Sequence, residues 1–179
     1  MTEVGSVYGE ALYTLAKDEG LSRDILSQLM LLDDCFTQEP GFLRLLGTPS
    51  LSKDERCRIL DDSFRGKIQP YVLNFLKILT EKGYARYFCD CVAAYRELYN
   101  RDNGILPVTA VTAVPLTDTQ KARLADKLAA ITGKQIDLTN KLDPHVLGGV
   151  RLDYDGKRVD DTVSHRLDAV RSHLKNTVL

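Results

Sequence analysis

The chain has 179 residues, 44 % of them apolar, and its 24 Lys and Arg nearly cancel its 25 Asp and Glu, so it suits one medium or two small globular domains and excludes a disordered or fibrous chain. The stretch up to Asn103 is slightly acidic and the rest slightly basic, and neither holds the positive surplus that nucleic acid demands. No run of eighteen apolar residues occurs and Met1-Thr2-Glu3-Val4 lacks a basic or hydrophobic leader, so the expectation is a cytosolic protein, with docking onto a membrane complex left open.

Val4, Val7, Tyr8, Ala11, Leu12, Leu15 and Ala16 recur at i, i+3 and i+4, which predicts an amphipathic helix from Val4 that ends before Gly20. A second helix follows Ser22, with Ile25, Leu26, Leu29, Leu32 and Phe36 inward, and Glu39-Pro40-Gly41 ends it because proline disfavours helix at the residue before it. Phe42 to Leu46 reads as a short third helix. Ser52-Lys53-Asp54-Glu55 is a capping box opening a fourth that runs to about Phe64. The fifth starts near Gln69-Pro70, buries Val72, Phe75, Leu76 and Leu79, and stops at Gly83. The sixth carries Tyr84, Phe88, Cys91, Val92, Tyr95, Leu98 and Tyr99 on one side. Residues 1 to 104 thus read as a six-helix bundle around one core.

After Asn103-Gly104 the period changes. Leu106 to Val114 is rich in Val and Thr, as suits a strand buried on both faces. Thr117-Asp118-Thr119-Gln120 is another capping box, for a helix marked by Leu124, Leu128 and Ile131 and closed by Gly133. Ile136, Leu138 and Leu142 alternate with polar residues as a strand with one wet face would. Val150, Leu152 and Tyr154 form a further strand, Asp155-Gly156 a tight hairpin turn, and Lys157 to Asp160 the return. A last helix buries Val163, Leu167, Val170 and Leu174. The expected class is therefore α plus α/β, with residues 105 to 179 forming a small β-α-β-β-β-α domain.

Reactive constellations are weak. Cys35, Cys57, Cys89 and Cys91 precede every histidine (His145, His165 and His173), and Cys89 and Cys91 point about 200° apart on a helix, so reduced and mostly buried thiols are expected. Gly148-Gly149 precedes a strand and no Lys-Ser or Lys-Thr pair, so it reads as a bend or a close backbone approach rather than a phosphate loop. Asp153, Asp155, Asp160 and Asp161 lack the spacing of a calcium loop, and turn chemistry accounts for them. His165 and His173 lie among Arg166, Arg171 and Lys175 on a solvated basic face. No catalytic residue, cofactor or metal is assigned. A small-molecule enzyme using Asp153, Asp155 and His145, and an RNA-binding helical regulator, are the competing expectations.

The chain resembles the delta subunit of bacterial F-type ATP synthases, the oligomycin-sensitivity-conferring protein family. The likeness rests on Val7-Tyr8-Gly9-Glu10-Ala11-Leu12, on Leu73-Asn74-Phe75-Leu76 through Gly83, on Val114-Pro115-Leu116-Thr117, on Gly133-Lys134-Gln135-Ile136, on Asp143-Pro144-His145-Val146-Leu147-Gly148-Gly149, and on Val159-Asp160-Asp161-Thr162-Val163. The last of these departs from the family's Asp-Gly-Ser-Val, although Thr162 retains the capping hydroxyl.

The resemblance implies a non-catalytic stator subunit. Its helical domain would bind the amphipathic N-terminal helix of an alpha subunit of the catalytic head, and its C-terminal domain the b subunits of the peripheral stalk. It would resist rotor torque while hydrogen-ion transport drives ATP synthesis. It would sit at the cytoplasmic face of a bacterial plasma membrane and touch that membrane only through the complex. On the family pattern, Tyr8, Ala11, Leu12 and Leu15 of the first helix and Val72, Phe75, Leu76 and Leu79 of the fifth line the groove for the alpha segment. The same residues also suit the bundle's own interior, and the pattern alone leaves both uses open. For the stalk, the candidates are Val146, Leu147, Gly148 and Gly149 as a backbone edge and Arg166 and Arg171 on the last helix.

Overall fold

The computed structural model describes residues 2–48, 51–146 and 148–160, and the chain divides into two compact units, Met1–Tyr99 and Asn100–Leu179. The predicted last helix, with Val163, Leu167, Val170 and Leu174, lies outside the described residues.

The first unit is helical: α1 (Glu3–Asp18), α2 (Ser22–Gln38), α3 (Pro40–Leu46), α4 (Lys53–Phe64), α5 (Pro70–Glu81), a single 3-10 turn (Ala85–Tyr87) and α6 (Phe88–Asp102). Local chemistry sets the starts. Thr2 caps α1 by accepting the Gly5 N–H, Pro40 and Pro70 stand at helix starts where no N–H is needed, and Ser52 and Glu55 cap α4 reciprocally. One apolar cluster draws on every one of these helices, from Leu12 and Ala16 through Leu29, Leu46, Leu60 and Leu79 to Phe88 and Tyr95. Phe36 sits at its centre, with ring centroids 5.4 Å from Phe42 and 5.1 Å from Phe88. Ile25, Leu26, Leu29, Leu32 and Phe36 are the buried face of α2, as the spacing predicts.

Three expectations for this unit are corrected. The inner arc of α1 is Gly5, Gly9, Leu12, Tyr13 and Ala16, whereas Val7, Ala11 and Leu15 lie outside. Glycine supplies the inner face because α6 passes too close for a side chain. Tyr84 precedes the 3-10 turn and is not part of the sixth helix. Of the thiols only Cys91 is buried; Cys35 and Cys89 are exposed and Cys57 is half-buried.

The second unit contains β1 (Ile105–Thr112), α7 (Asp118–Thr132), β2 (Gln135–Leu142), β3 (Val150–Tyr154) and β4 (Lys157–Asp160), and the sheet order is β2-β1-β3-β4. β1 runs parallel to β2, from Ile105 opposite Gln135 to Thr112 opposite Leu142, with α7 as the crossover. β3 lies antiparallel to β1 over Thr109–Thr112, and β4 antiparallel to β3. Pro107, with no N–H to donate, falls in the half of β1 whose described pairing is with β2 alone. Asp155 (φ 47°) and Gly156 (φ 69°) take the two positive angles of a primed hairpin turn.

Thr117 and Gln120 cap α7, and Gly133 ends it with φ 66° while donating to the Ala129 carbonyl. Asn140 ties the layers together: its amide donates to the Ala110 carbonyl and the Thr112 hydroxyl, both at 2.9 Å, and its oxygen accepts the Leu116 N–H. β1 is shorter than expected and is continuously buried only over Ala110–Thr112, so Val114 stands exposed beyond it. Ile131 and Leu142, expected inside, are also exposed.

Candidate partner-docking surfaces

Helix α1 divides lengthwise into three arcs. Gly5, Gly9, Leu12, Tyr13 and Ala16 face the core, and Glu3, Glu10, Thr14 and Lys17 face solvent. Between them runs an apolar flank of Val4, Val7, Tyr8, Ala11 and Leu15, which the unit's own packing leaves partly uncovered. Val7 is 60 % and Leu15 41 % exposed. Within that flank, positions 4, 8, 11 and 15 follow the alternating 4-3-4 spacing of a seam made to receive another helix at a shallow crossing angle.

Two contacts show what lies beside this flank. Near the start of α1, the Tyr8 ring packs edge-on against Tyr84, which follows α5 directly, with centroids 5.8 Å apart. Just past its end, the Glu19 carboxylate accepts a hydrogen bond from Tyr71 in the first turn of α5, and its charge raises the Tyr71 pKa. The two helices therefore run antiparallel beside each other. Tyr71 and Ile78 are seven residues, about two turns, apart on one face of α5, so Ile78, at 46 % exposure, stands on the side turned toward α1. The adjoining side, about 60–100° further round the helix, is tied to α4, where Lys77 pairs with Asp61 at 2.8 Å and Glu81 accepts a long bond from the Cys57 thiol. The apolar side chains left exposed here are Val7, Ala11 and Leu15 on α1 and Ile78 on α5, with the Tyr8–Tyr84 pair beside α1.

Four of the eight groove candidates on α1 and α5 lie on α1, and three of those, Tyr8, Ala11 and Leu15, are available on the groove side. Leu12 is not; it is 5 % exposed and belongs to the core. All four α5 candidates, Val72, Phe75, Leu76 and Leu79, are likewise core residues, because they form the buried arc of a helix enclosed on that side. Ala16, further along the same apolar stripe, is fully buried. Ile78, Tyr71 and Tyr84, spaced seven and six residues apart, border the same side and are not among the sequence candidates.

In the second unit, Val146 is buried and so is no surface contact, while Gly148 is half-buried and Gly149, at φ 87°, exposed. Gly149 holds an angle that favours glycine, as expected for a bend. Leu147, Arg166 and Arg171 lie outside the described residues.

Asp153 is engaged by Arg158 at 2.8 Å and Arg151 at 3.4 Å, and the Arg158 hydrogen bond above all holds its pKa below the ordinary carboxylate value. Asp155 is a turn residue, and exposed His145 donates its backbone N–H to Asp143. The grouping of Asp153, Asp155 and His145 thus has its key carboxylate already paired. Among the described residues no group of three or more His, Cys, Asp or Glu is placed to hold a metal. Burial raises the Cys91 thiol to about 11, and partial desolvation together with the neighbouring Asp33 carboxylate raises that of exposed Cys89 to about 11, so both are protonated at neutral pH. No described helix is long and apolar enough to cross a membrane.

Apolar side chains thus stand exposed on α1 and α5 beside a tyrosine pair, on a helical unit followed by a four-stranded mixed sheet. The profile of the ATP synthase delta (OSCP) subunit matches residues 4–174, and the chain belongs to that family, whose members are structural, non-catalytic stator subunits of ATP synthase. It is 32 % identical over 176 residues to an ATP synthase subunit delta of Alkaliphilus oremlandii, covering 98 % of each chain. It is 34 % identical over 178 residues to one of Lactobacillus delbrueckii subsp. bulgaricus, covering 96 % of each. Among solved structures, it superposes on a chain of the Toxoplasma gondii mitochondrial ATP synthase hexamer with a TM-score of 0.77 at 19 % identity, covering 97 % of this chain and 98 % of that one, a likeness of fold.

Proposed function

We propose that the chain is the stator link between catalytic head and peripheral stalk. The helical bundle, residues 1–104, takes the amphipathic N-terminal helix of an alpha subunit in the α1/α5 groove. Residues 105–179 hold the b subunits, at the cytoplasmic face of a bacterial plasma membrane that the chain meets only through the complex. The observation that carries this is the apolar flank of α1, left open on the side where Tyr8–Tyr84 and Tyr71–Glu19 place α5. Covering three aliphatic side chains that are each about half exposed returns on the order of 1 kcal/mol apiece. With aromatic anchors at the rim, that is a basis for slow release, which a link under torque needs more than fast capture.

The test mixes the full chain with catalytic heads stripped of it. The expected result is one-to-one rebinding, with recovery of proton-coupled ATPase in the reassembled enzyme, and loss of rebinding when the alpha N-terminal segment is removed. Equal rebinding to truncated heads refutes the groove assignment.

A further inference from the structure

The first turn of α1 is tied to a residue 88 positions away. Asp90, half-buried in the first turn of α6, accepts on one oxygen, Oδ2, both the Thr2 hydroxyl at 2.6 Å and the Thr2 backbone N–H at 3.2 Å. The same Thr2 hydroxyl oxygen accepts the Gly5 N–H at 3.3 Å, and the Thr2 carbonyl accepts the Ser6 N–H at 3.0 Å. Thr2 is therefore both the cap of α1 and its attachment to α6. Directly below, a side chain at Gly5 would meet the Asp90 Cβ at 2.5 Å, and one at Gly9 the Cys91 carbonyl at 2.6 Å. The two helices touch backbone to backbone under the clasp, so its geometry sets how α1 is rotated about its axis. That rotation decides which way Val7, Ala11 and Leu15 face.

We propose that Asp90 is a positioning residue for the docking groove: through the Thr2 clasp it holds α1 at the rotation that presents the apolar flank to a partner helix. This rests on the groove assignment made above. The Asp90 pKa lies below the ordinary value, mainly through the Thr2 hydroxyl bond, which fits a carboxylate held ionised by its two donors. Both donors converge on one oxygen, and an amide oxygen has two lone pairs, so asparagine keeps the clasp and alanine removes it.

The test measures binding of a synthetic peptide, carrying the amphipathic N-terminal segment of the cognate alpha subunit, to the full-length chain by calorimetry far below the melting temperature. Asp90→Ala should weaken binding roughly tenfold, Asp90→Asn should restore it to within about threefold, and Thr2→Val should weaken it without adding to Asp90→Ala. Amide exchange at residues 5 to 7 should quicken in Asp90→Ala and not in Asp90→Asn. A variant weakened elsewhere in the core, Leu60→Val, should melt earlier yet bind normally, which separates positioning from stability. Wild-type affinity in Asp90→Ala, or unchanged exchange in its first turn, overturns the proposal while leaving the groove intact. Failure of the wild-type chain to bind, or normal binding by Leu15→Asp, overturns the groove assignment and the proposal with it.

Discussion

Replacing Gly9 with alanine should destabilise the helical unit, against the usual rule that alanine improves a helix. In an open helix interior the exchange gains about 1 kcal/mol. Here the new methyl would lie 2.6 Å from the Cys91 carbonyl oxygen, 2.8 Å from the Ala94 Cβ and 3.2 Å from the Tyr95 nitrogen. Two of these neighbours are backbone atoms, and optimal carbon contacts are about 3.5–4.0 Å, so α1 has to withdraw by somewhat under an ångström. Withdrawal by that distance forfeits about a quarter to a half of the dispersion energy along the interface, which includes Leu12, Ala16 and the Tyr13–Tyr95 edge contact at 5.2 Å. With two contacts below 3.0 Å, one of them to backbone, the upper part of the usual overpacking cost applies, about 2–3 kcal/mol, so the net loss after the propensity gain is about 1–2 kcal/mol. In a unit of this size that lowers the melting temperature by about 5–15 °C. Gly41, in α3, is the control: nothing lies within 4 Å of its virtual Cβ, so Gly41→Ala should be neutral or mildly stabilising. Urea and thermal unfolding of both variants decide the matter. If Gly9→Ala melts with or above Gly41→Ala, α1 does not seat on α6 as described.

Three further outcomes are expected. Leu12→Asp places a charge in the core and should cost more than about 3 kcal/mol, whereas Leu15→Asp should leave stability within about 0.5 kcal/mol; denaturant titration of the pair tests the orientation of α1. Asn140→Ala leaves the Leu116 N–H without its partner and deprives the Ala110 carbonyl and Thr112 hydroxyl of a donor, and should lower the stability of the sheet unit by about 2 kcal/mol in the same assay. Asp153 has a folded pKa below the ordinary 3.8, so its contribution to stability is present above that value and fades as pH falls through the folded pKa. Wild type should therefore melt above Asp153→Asn at about pH 6, with the gap closing as the pH is taken down below the ordinary carboxylate value.

What the sequence made legible follows from how each face buries itself. On α2 every apolar residue of the inward stripe is core and the opposite side is largely polar, so periodicity alone locates the buried face. On α1 the apolar residues cover two arcs and the innermost contact is made by glycines, so hydrophobicity pointed away from the tightest packing. Two glycines four residues apart in a helix were a signal of close helix approach that outweighs their poor helix propensity. On α5 the pattern of Val72, Phe75, Leu76 and Leu79 suits a groove and an interior alike, and the packing makes them interior, while the exposed side carries a single isoleucine. Cap and turn chemistry at Ser52, Thr117, Gly133 and Asp155-Gly156 is written in single residues and was readable. Strand order was not, because pairing β1 with both β2 and β3 depends on contacts across the unit that no local pattern encodes.

The clasp and the groove act on the same helix, and thermodynamic linkage makes their influence mutual. If losing the Thr2–Asp90 bonds weakens the bound helix tenfold, a coupling of about 1.4 kcal/mol, then a bound helix must strengthen those bonds by the same factor. Occupying the groove should thus slow amide exchange in the first turn of α1 about tenfold in wild type and hardly at all in Asp90→Ala. A helix that merely covers the groove would protect the amides beneath it equally in both proteins. The difference between the two protections, rather than the protection itself, therefore reports whether α1 is held in place by Asp90 for its partner.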